Sequence, residues 1–417
     1  MPAACPQRVW SCMQKNHEVF VWWGVLTVVL SASLFCSCVK KQTGVERERV
    51  GTQYAQYFTI EERDTVVREA ELPGSEPVEK RYTFTELCIY NPWEADKPVL
   101  QRSYLYKESE SAKLSKNSKK RMPLPADGTA IRVPVRRVAT GSCTHVGFLS
   151  ALDALDVLCG VTDKHLVYTE LGADVVNLGD CISPDAERFV AVQPEVVFMS
   201  TYGTNDAATT RLQKAGLTVI PVMEWVENDP LGRAEWVRMF GAFLGLDARA
   251  DSVFACAADN YHRMSALGEE SGEAFSRSIL SGGSFRGTWY VPSGATYMGR
   301  LFKDAGAQYA YAENQTNGSV PLSIEQVLQA FREADVWVGA PAGTLHELEE
   351  MDSKHTWFKA YENHSVYTFK ARTTPTGGND FWEAGVTEPD RILSDLVYVL
   401  YPSLLPEYAP KYLQQLR

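Results

Sequence analysis

Two carboxylates occupy matched places in this chain. Residues 183–198 read Ser-Pro-Asp-Ala-Glu-Arg-Phe-Val-Ala-Val-Gln-Pro-Glu-Val-Val-Phe, and residues 323–338 read Ser-Ile-Glu-Gln-Val-Leu-Gln-Ala-Phe-Arg-Glu-Ala-Asp-Val-Trp-Val. In each, a Ser stands where it can cap a helix N-terminus, and a Glu (Glu187, Glu325) falls in the first turn, where the helix dipole favours it. A carboxylate so placed is exposed, fixed in direction and free to meet a guanidinium on a partner. The alternative is an ordinary helix acid that serves only the dipole. Each unit then runs through an amphipathic helix to an acidic residue, Glu195 or Asp335, and a short apolar strand. One helix–strand unit used twice predicts two α/β lobes of similar build. Such lobes close on something between them, which points to ligand capture ahead of catalysis.

A third reactive position lies near the N-terminus. Arg8 and Lys15 precede an apolar run over residues 19–35, at the short limit for a spanning helix and the long end for a signal-peptide core. It ends in Ser-Leu-Phe-Cys36-Ser-Cys38 followed by Val-Lys-Lys, so a small residue directly precedes Cys38. That pattern resembles a bacterial lipobox with Cys38 as the acylated residue; the other reading is a plain membrane anchor, which leaves the same domain outside the same membrane. None of the five cysteines beyond Cys38 forms a Cys-x-x-Cys pair, so neither a zinc knuckle nor a redox motif is present in the sequence. No Gly-x-Ser-x-Gly elbow, Walker loop or His-Glu-x-x-His helix occurs either. A net charge of −11 argues against nucleic acid as a partner, because phosphate binding needs a basic footprint.

The elements that would carry these residues follow from the pattern along 417 residues. Residues 1–37 read as a lipoprotein signal peptide, 38–53 as a charged tether and 54–130 as a β-rich extension. Residues 131–230 make a first α/β lobe, opening with one strand over 131–140. Residues 231–270 are helical and contain a connector, with Ala250, Val253, Phe254, Ala257, Tyr261 and Met264 at three- and four-residue steps. Residues 271–417 make the second lobe. Strands alternating with helices imply parallel sheet in βαβ units, giving two Rossmann-like lobes joined by a long rigid helix. Ligands of such sheets sit beyond the carboxyl ends of the strands, where residues 142–145 and 201–203 fall.

Together these features resemble a class III periplasmic substrate-binding protein of an ABC importer, the group serving ferric siderophores, haem and cobalamin. The resemblance rests on residues 179–189 with Gln193-Pro-Glu195-Val-Val, on Pro230-Leu-Gly-Arg-Ala-Glu-Trp236, and on Ser323-Ile-Glu-Gln-Val with Ala334-Asp-Val. Residues 289–298 and Gly377-Gly-Asn-Asp-Phe-Trp-Glu383 are similar to the lipoprotein branch found in Bacteroidetes-type bacteria. It implies two lobes with ligand in the cleft, one surface Glu per lobe (Glu187, Glu325) docking onto basic residues of the importer's membrane subunits, and no catalysis. It places the protein as a monomer, lipid-anchored to the inner or outer membrane of a Gram-negative bacterium and facing the periplasm.

For a metal chelate or tetrapyrrole the cleft needs flat aromatic walls and cationic or polar groups. Trp289, Tyr290 and Tyr297 lie around the Gly-rich turn that carries Arg286, Asn379 and Trp382 lie on a second Gly-rich loop, and His145 and Tyr168 face them from the first lobe. For each aromatic, core packing competes with ligand contact. His145 is either an axial ligand to haem iron or a helix N-terminal His bonded to backbone or ligand. Many haem-binding members carry Tyr where this chain has Asp180, which leaves a siderophore-type chelate or cobalamin beside haem as cargo. No protein-held metal or other cofactor is expected, since the seven histidines are scattered. Two further functions stand beside importer-coupled capture: a tetrapyrrole or metal chelatase with His145 as base, and a surface haem-binding protein that never meets an importer.

Overall fold

The computed structural model describes residues 51–69, 76, 78–112, 122–271 and 276–417; Cys38 and the signal segment lie outside the described residues. Strands β1 (Phe58–Glu69), β2 (Val78–Tyr90) and β3 (Val99–Lys107) form an antiparallel sheet, to which β4 (Thr129–Val133) adds in parallel. The run 131–140, expected as one strand, is two: a cis Val133–Pro134 bond follows β4, and β5 (Val138–Thr140) begins a different sheet. Proline has no N–H to give a ladder, so the strand ends there.

The first-lobe sheet is wholly parallel, in the order β7-β6-β5-β8-β9, with β6 Leu158–Val161, β7 Val176–Asn177, β8 Val196–Ser200 and β9 Val219–Val222. Both faces are covered. Val196 and Phe198 point into the main core, while Val197 and Met199 point into a second cluster with Phe189 and Leu212. Apolar residues on both strand faces are what a sheet buried on both sides requires. Helices α1 (Cys143–Ala151), α2 (Ala186–Ala191) and α3 (Ala207–Lys214) connect the strands. Gln101 Nε2 on β3 donates to Val219 O on the edge strand β9 (3.0 Å), so the N-terminal sheet lies alongside that edge.

The apolar run after residue 230 is two helices, α4 (Pro230–Glu235) and α5 (Val237–Leu244), and then comes α6 (Asp247–Ser271). At roughly 1.5 Å per residue α6 is about 37 Å long. It packs against α5 on one side and against α11 (Pro389–Leu400), in the second lobe, on the other. Ala250, Phe254, Ala257 and Tyr261 are buried along it, the face the spacing predicts.

The second lobe carries the parallel strands β10 (Ile279–Ser281), β14 (Val336–Val338) and β15 (Val366–Thr368), with β16 (Gln414–Gln415) antiparallel at the edge. Beside them β11 (Ser284–Phe285), β12 (Thr288–Pro292) and β13 (Ser319–Leu322) form a small antiparallel sheet. Helices α7 (Tyr297–Asp304), α8 (Ile324–Phe331), α9 (Leu345–Met351) and α10 (Asp380–Glu383) complete the lobe. The two acids expected to precede strands each fix backbone. Glu195 Oε1 accepts the Arg136 N–H (2.9 Å), and Asp335 Oδ2 accepts the Ser278 N–H (2.9 Å).

Candidate functional site: the carboxyl-end cleft

The lobes meet where the loop after β6 touches the segment after β15. Glu383, almost fully buried, accepts the N–H groups of Tyr168 (2.6 Å) and Thr169 (2.9 Å) across the lobes. Burial pushes its carboxyl up from the ordinary range, while these amides pull it down. The approach is close enough to need glycine on both sides. A Cβ on Gly147 would stand 2.0 Å from Glu383 O, and one on Gly378 would stand 2.4 Å from Val167 O. The Arg372 guanidinium lies 5.0 Å from the Tyr168 ring centre and donates to Asp380 Oδ2 (2.6 Å). Both contacting segments follow the carboxyl ends of parallel strands, β6 and β15, the end of the sheet at which ligands of this topology usually bind.

On the first lobe the end of the sheet is a notch lined by Ser142, Cys143, Thr162, Asp163, Cys181 and Tyr202. Ser142 Oγ caps α1 by accepting the Thr144 N–H (3.2 Å). The Tyr202 ring lies 5.2 Å from the Trp225 ring at 37°, giving a half-buried aromatic pair after β8 and β9. Neither residue is among the sequence-derived ligand contacts, although Tyr202 lies in the 201–203 segment at a carboxyl strand end, which is the signal that finds it. On the second lobe Arg286 is exposed at the β11–β12 turn in the left-handed region (φ 52°), its guanidinium 5.1 Å from the Phe285 ring centre.

Several predicted contacts have other duties. His145 is fully buried in an aromatic core, 6.0 Å from the Phe240 ring, with Nε2 3.4 Å from Ser200 Oγ. Burial lowers its pKa to about 4 against the opposing pull of Glu224 and the Phe198 carbonyl, so it is a neutral core histidine. It does not reach the cleft surface, and neither axial ligation nor general-base work at a macrocycle is open to it there. Trp289 is likewise core: its Nε1 donates to Ser281 O (3.0 Å) and its ring packs on Trp337 and Phe358. Tyr297 lies under the Arg233 guanidinium (4.3 Å), tying α4 to α7. Asn379 caps α10, accepting the Phe381 N–H (3.0 Å) and donating to Phe369 O (3.0 Å). Tyr290 and Trp382 are half-buried, Trp382 edge-on to Phe381 at 4.7 Å. The structure thus brings Tyr168 together with the loop of Asn379 and Trp382, while Trp289 serves the core and Tyr297 the contact with Arg233.

The two marked glutamates are exposed on different lobes. Ser323 caps α8 with a full capping box to Gln326, whereas α2 is capped by Asp185, which accepts the Glu187 N–H (3.0 Å), and not by Ser183. Asp outcompetes the earlier Ser because it stands directly before the first helical residue. Glu325 pairs with Lys354 (3.0 Å), which holds its carboxyl down at about 2. Asp180 accepts the N–H groups of Ile182 (2.8 Å) and Ser183 (3.1 Å), turning its carboxylate onto backbone. Among the described residues no group of three His, Cys, Asp or Glu is arranged to hold a metal ion, and no helix is long and apolar enough to cross a membrane.

Buried acids outside the cleft hold the chain's first described segment. Glu235 accepts the N–H groups of Gln53 (2.8 Å), Tyr54 (2.7 Å) and Ala55 (2.8 Å), and Glu227 takes those of Gln56 (2.9 Å) and Tyr57 (3.1 Å).

A family profile described as periplasmic binding protein matches residues 138–373. An uncharacterized lipoprotein of Methanocaldococcus jannaschii is 24% identical over 65% of this chain, and the chain spans 66% of that relative's length. A periplasmic heme binding protein from Pseudomonas aeruginosa superposes with a TM-score of 0.53 at 18% identity, over 68% of this chain and 98% of its own. A possible iron-binding (periplasmic solute-binding) protein from Staphylococcus epidermidis gives 0.52 at 14% identity, over 64% of this chain and 99% of its own.

Proposed function

The chain belongs to the periplasmic binding protein family, and from that premise we propose that it is a lipid-anchored receptor, acylated at Cys38, that captures a metal chelate and delivers it to an ABC importer. The observation that carries this reading is the contact between the lobes: segments beyond the carboxyl ends of two parallel sheets meet at Glu383 and Tyr168, with the exposed Arg372 over the Tyr168 ring. Tyr202 and Trp225 supply a flat wall, and Arg286 and Arg372 face an anionic periphery. Tyr168 and the half-buried Tyr290 and Trp382 are the further side chains offered to the cargo. The cargo is a ferric siderophore, haem or cobalamin. With His145 in the core and Asp180 committed to backbone, haem would bind without an axial ligand from either.

Delivery uses Glu187 and Glu325, one exposed carboxylate per lobe, against arginines of the membrane subunits. Lys354 shares Glu325 and would exchange it for the importer's guanidinium. The protein acts as a monomer in the periplasm of a Gram-negative cell and turns nothing over.

Uptake of the cargo by cells carrying Glu187→Arg with Glu325→Arg tests the coupling. Lost uptake with cleft affinity unchanged is expected; full uptake would favour a surface binding protein that meets no importer.

A further inference from the structure

Cys143 and Cys181 share the first-lobe notch. Cys143 is the first residue of α1, Cys181 lies between β7 and α2, and both are partly exposed. The backbone brings them there. The Thr162 N–H donates to Thr140 O (3.0 Å) and the Asp163 N–H to Gly179 O (2.7 Å), so the chain leaving β5 and the chain following β7 are tied to consecutive residues beyond β6. Asp163 Oδ2 then takes the Cys181 N–H (3.0 Å), folding that loop back over the end of β6 toward α1.

The other described cysteines are placed differently. Cys159 is buried with Sγ donating to Val138 O (3.1 Å), Cys88 is buried in the N-terminal sheet, and Cys256 is exposed on α6. The periplasmic family and lipoprotein relatives put this notch in a compartment where disulfides persist.

We propose that Cys143 and Cys181 are a dithiol–disulfide pair set in the wall of the ligand cleft. Closure is exchange with a low-molecular-weight disulfide. The Cys143 thiolate, at the positive end of the α1 dipole, attacks one sulfur of the oxidant and releases one thiol. The Cys181 thiolate then attacks Cys143 Sγ and displaces the second. Two cysteine thiols give up two protons and two electrons, and the oxidant leaves as two thiols. The bridge ties the loop that leads into α2, and so Glu187, to the helix beneath the notch. It also draws two walls of the notch together, so one bond acts on the ligand face and on the helix that bears an exposed acid. The pairing does not depend on which ligand is carried.

The test is peptide mapping of the full chain without reductant, after equilibration with oxidised glutathione and blocking with iodoacetamide. The expected result is a cross-linked peptide pair joining Cys143 to Cys181, with alkylation lost at both together and restored by dithiothreitol, while Cys256 enters no cross-link within the chain. Cys143→Ser and Cys181→Ser should each abolish the cross-link and leave the remaining cysteine alkylated or carrying a glutathione that dithiothreitol removes. Recovery of Cys143 and Cys181 both alkylated from oxidised, folded wild-type protein would overturn the proposal. So would either one cross-linked to another cysteine instead.

Discussion

The Glu383 carboxylate accepts the Tyr168 N–H from the opposite lobe at 2.6 Å. With Thr169 it makes a two-pronged clamp at the root of the cleft, inside a contact that Gly147 and Gly378 keep close. Glu383→Gln keeps the shape but offers one acceptor and one donor to two N–H groups. A buried donor left unmade costs about 1–3 kcal/mol, so the urea midpoint should fall by that equivalent. An unchanged midpoint would mean that the clamp is not formed.

His145 ties stability to pH. Its folded pKa of about 4 lies below the ordinary 6.5, so the unfolded chain binds the proton first. The contribution is fully present above pH 6.5 and is lost as pH falls toward 4, roughly 3 kcal/mol in all. Denaturant titrations at pH 7.5 and 4.5 should show a smaller loss in His145→Phe than in wild type. Equal losses would place the histidine in water.

Glu235 holds the strap over residues 53–55 through three amides and also meets Arg238. Glu235→Ala should cost about 2–4 kcal/mol by thermal unfolding. It should also open the segment to limited proteolysis, whereas intact protection would assign the strap's hold to Glu227.

Tyr202 and Trp289 should separate cleft from core. Tyr202→Ala is expected to weaken cargo binding about tenfold through lost stacking at near-wild-type stability. Trp289→Ala should destabilise by about 3–5 kcal/mol, since it empties a core position. Titration and melting on both variants check the pair, and the reverse pattern would exchange their roles.

Local chemistry makes much of this legible in the sequence. The capping box at Ser323 and the buried face of α6 need only neighbours within a turn or a helical period. Trp289 misled because an aromatic in a Gly-rich region suits both a wall and a core. Strand alternation in β12 turns Trp289 and Val291 inward and leaves Tyr290 half-exposed, so both aromatics could not serve as walls. Glu383 and Glu235 stand in the motifs that carry the resemblance, but their duties, like that of Arg372, are not legible there, because their partners are backbone groups or rings brought near only by the finished fold.

Capture of a metal chelate in the cleft is what the proposed function requires. An absorbance titration of the purified protein with haemin, cobalamin and a ferric siderophore tests it most directly. A saturable one-to-one change with one of the three, weakened by Tyr202→Ala and by Arg286→Ala and unaffected by Glu187→Arg, is the predicted result. No saturable change with any of them, or binding indifferent to both cleft substitutions, would contradict it.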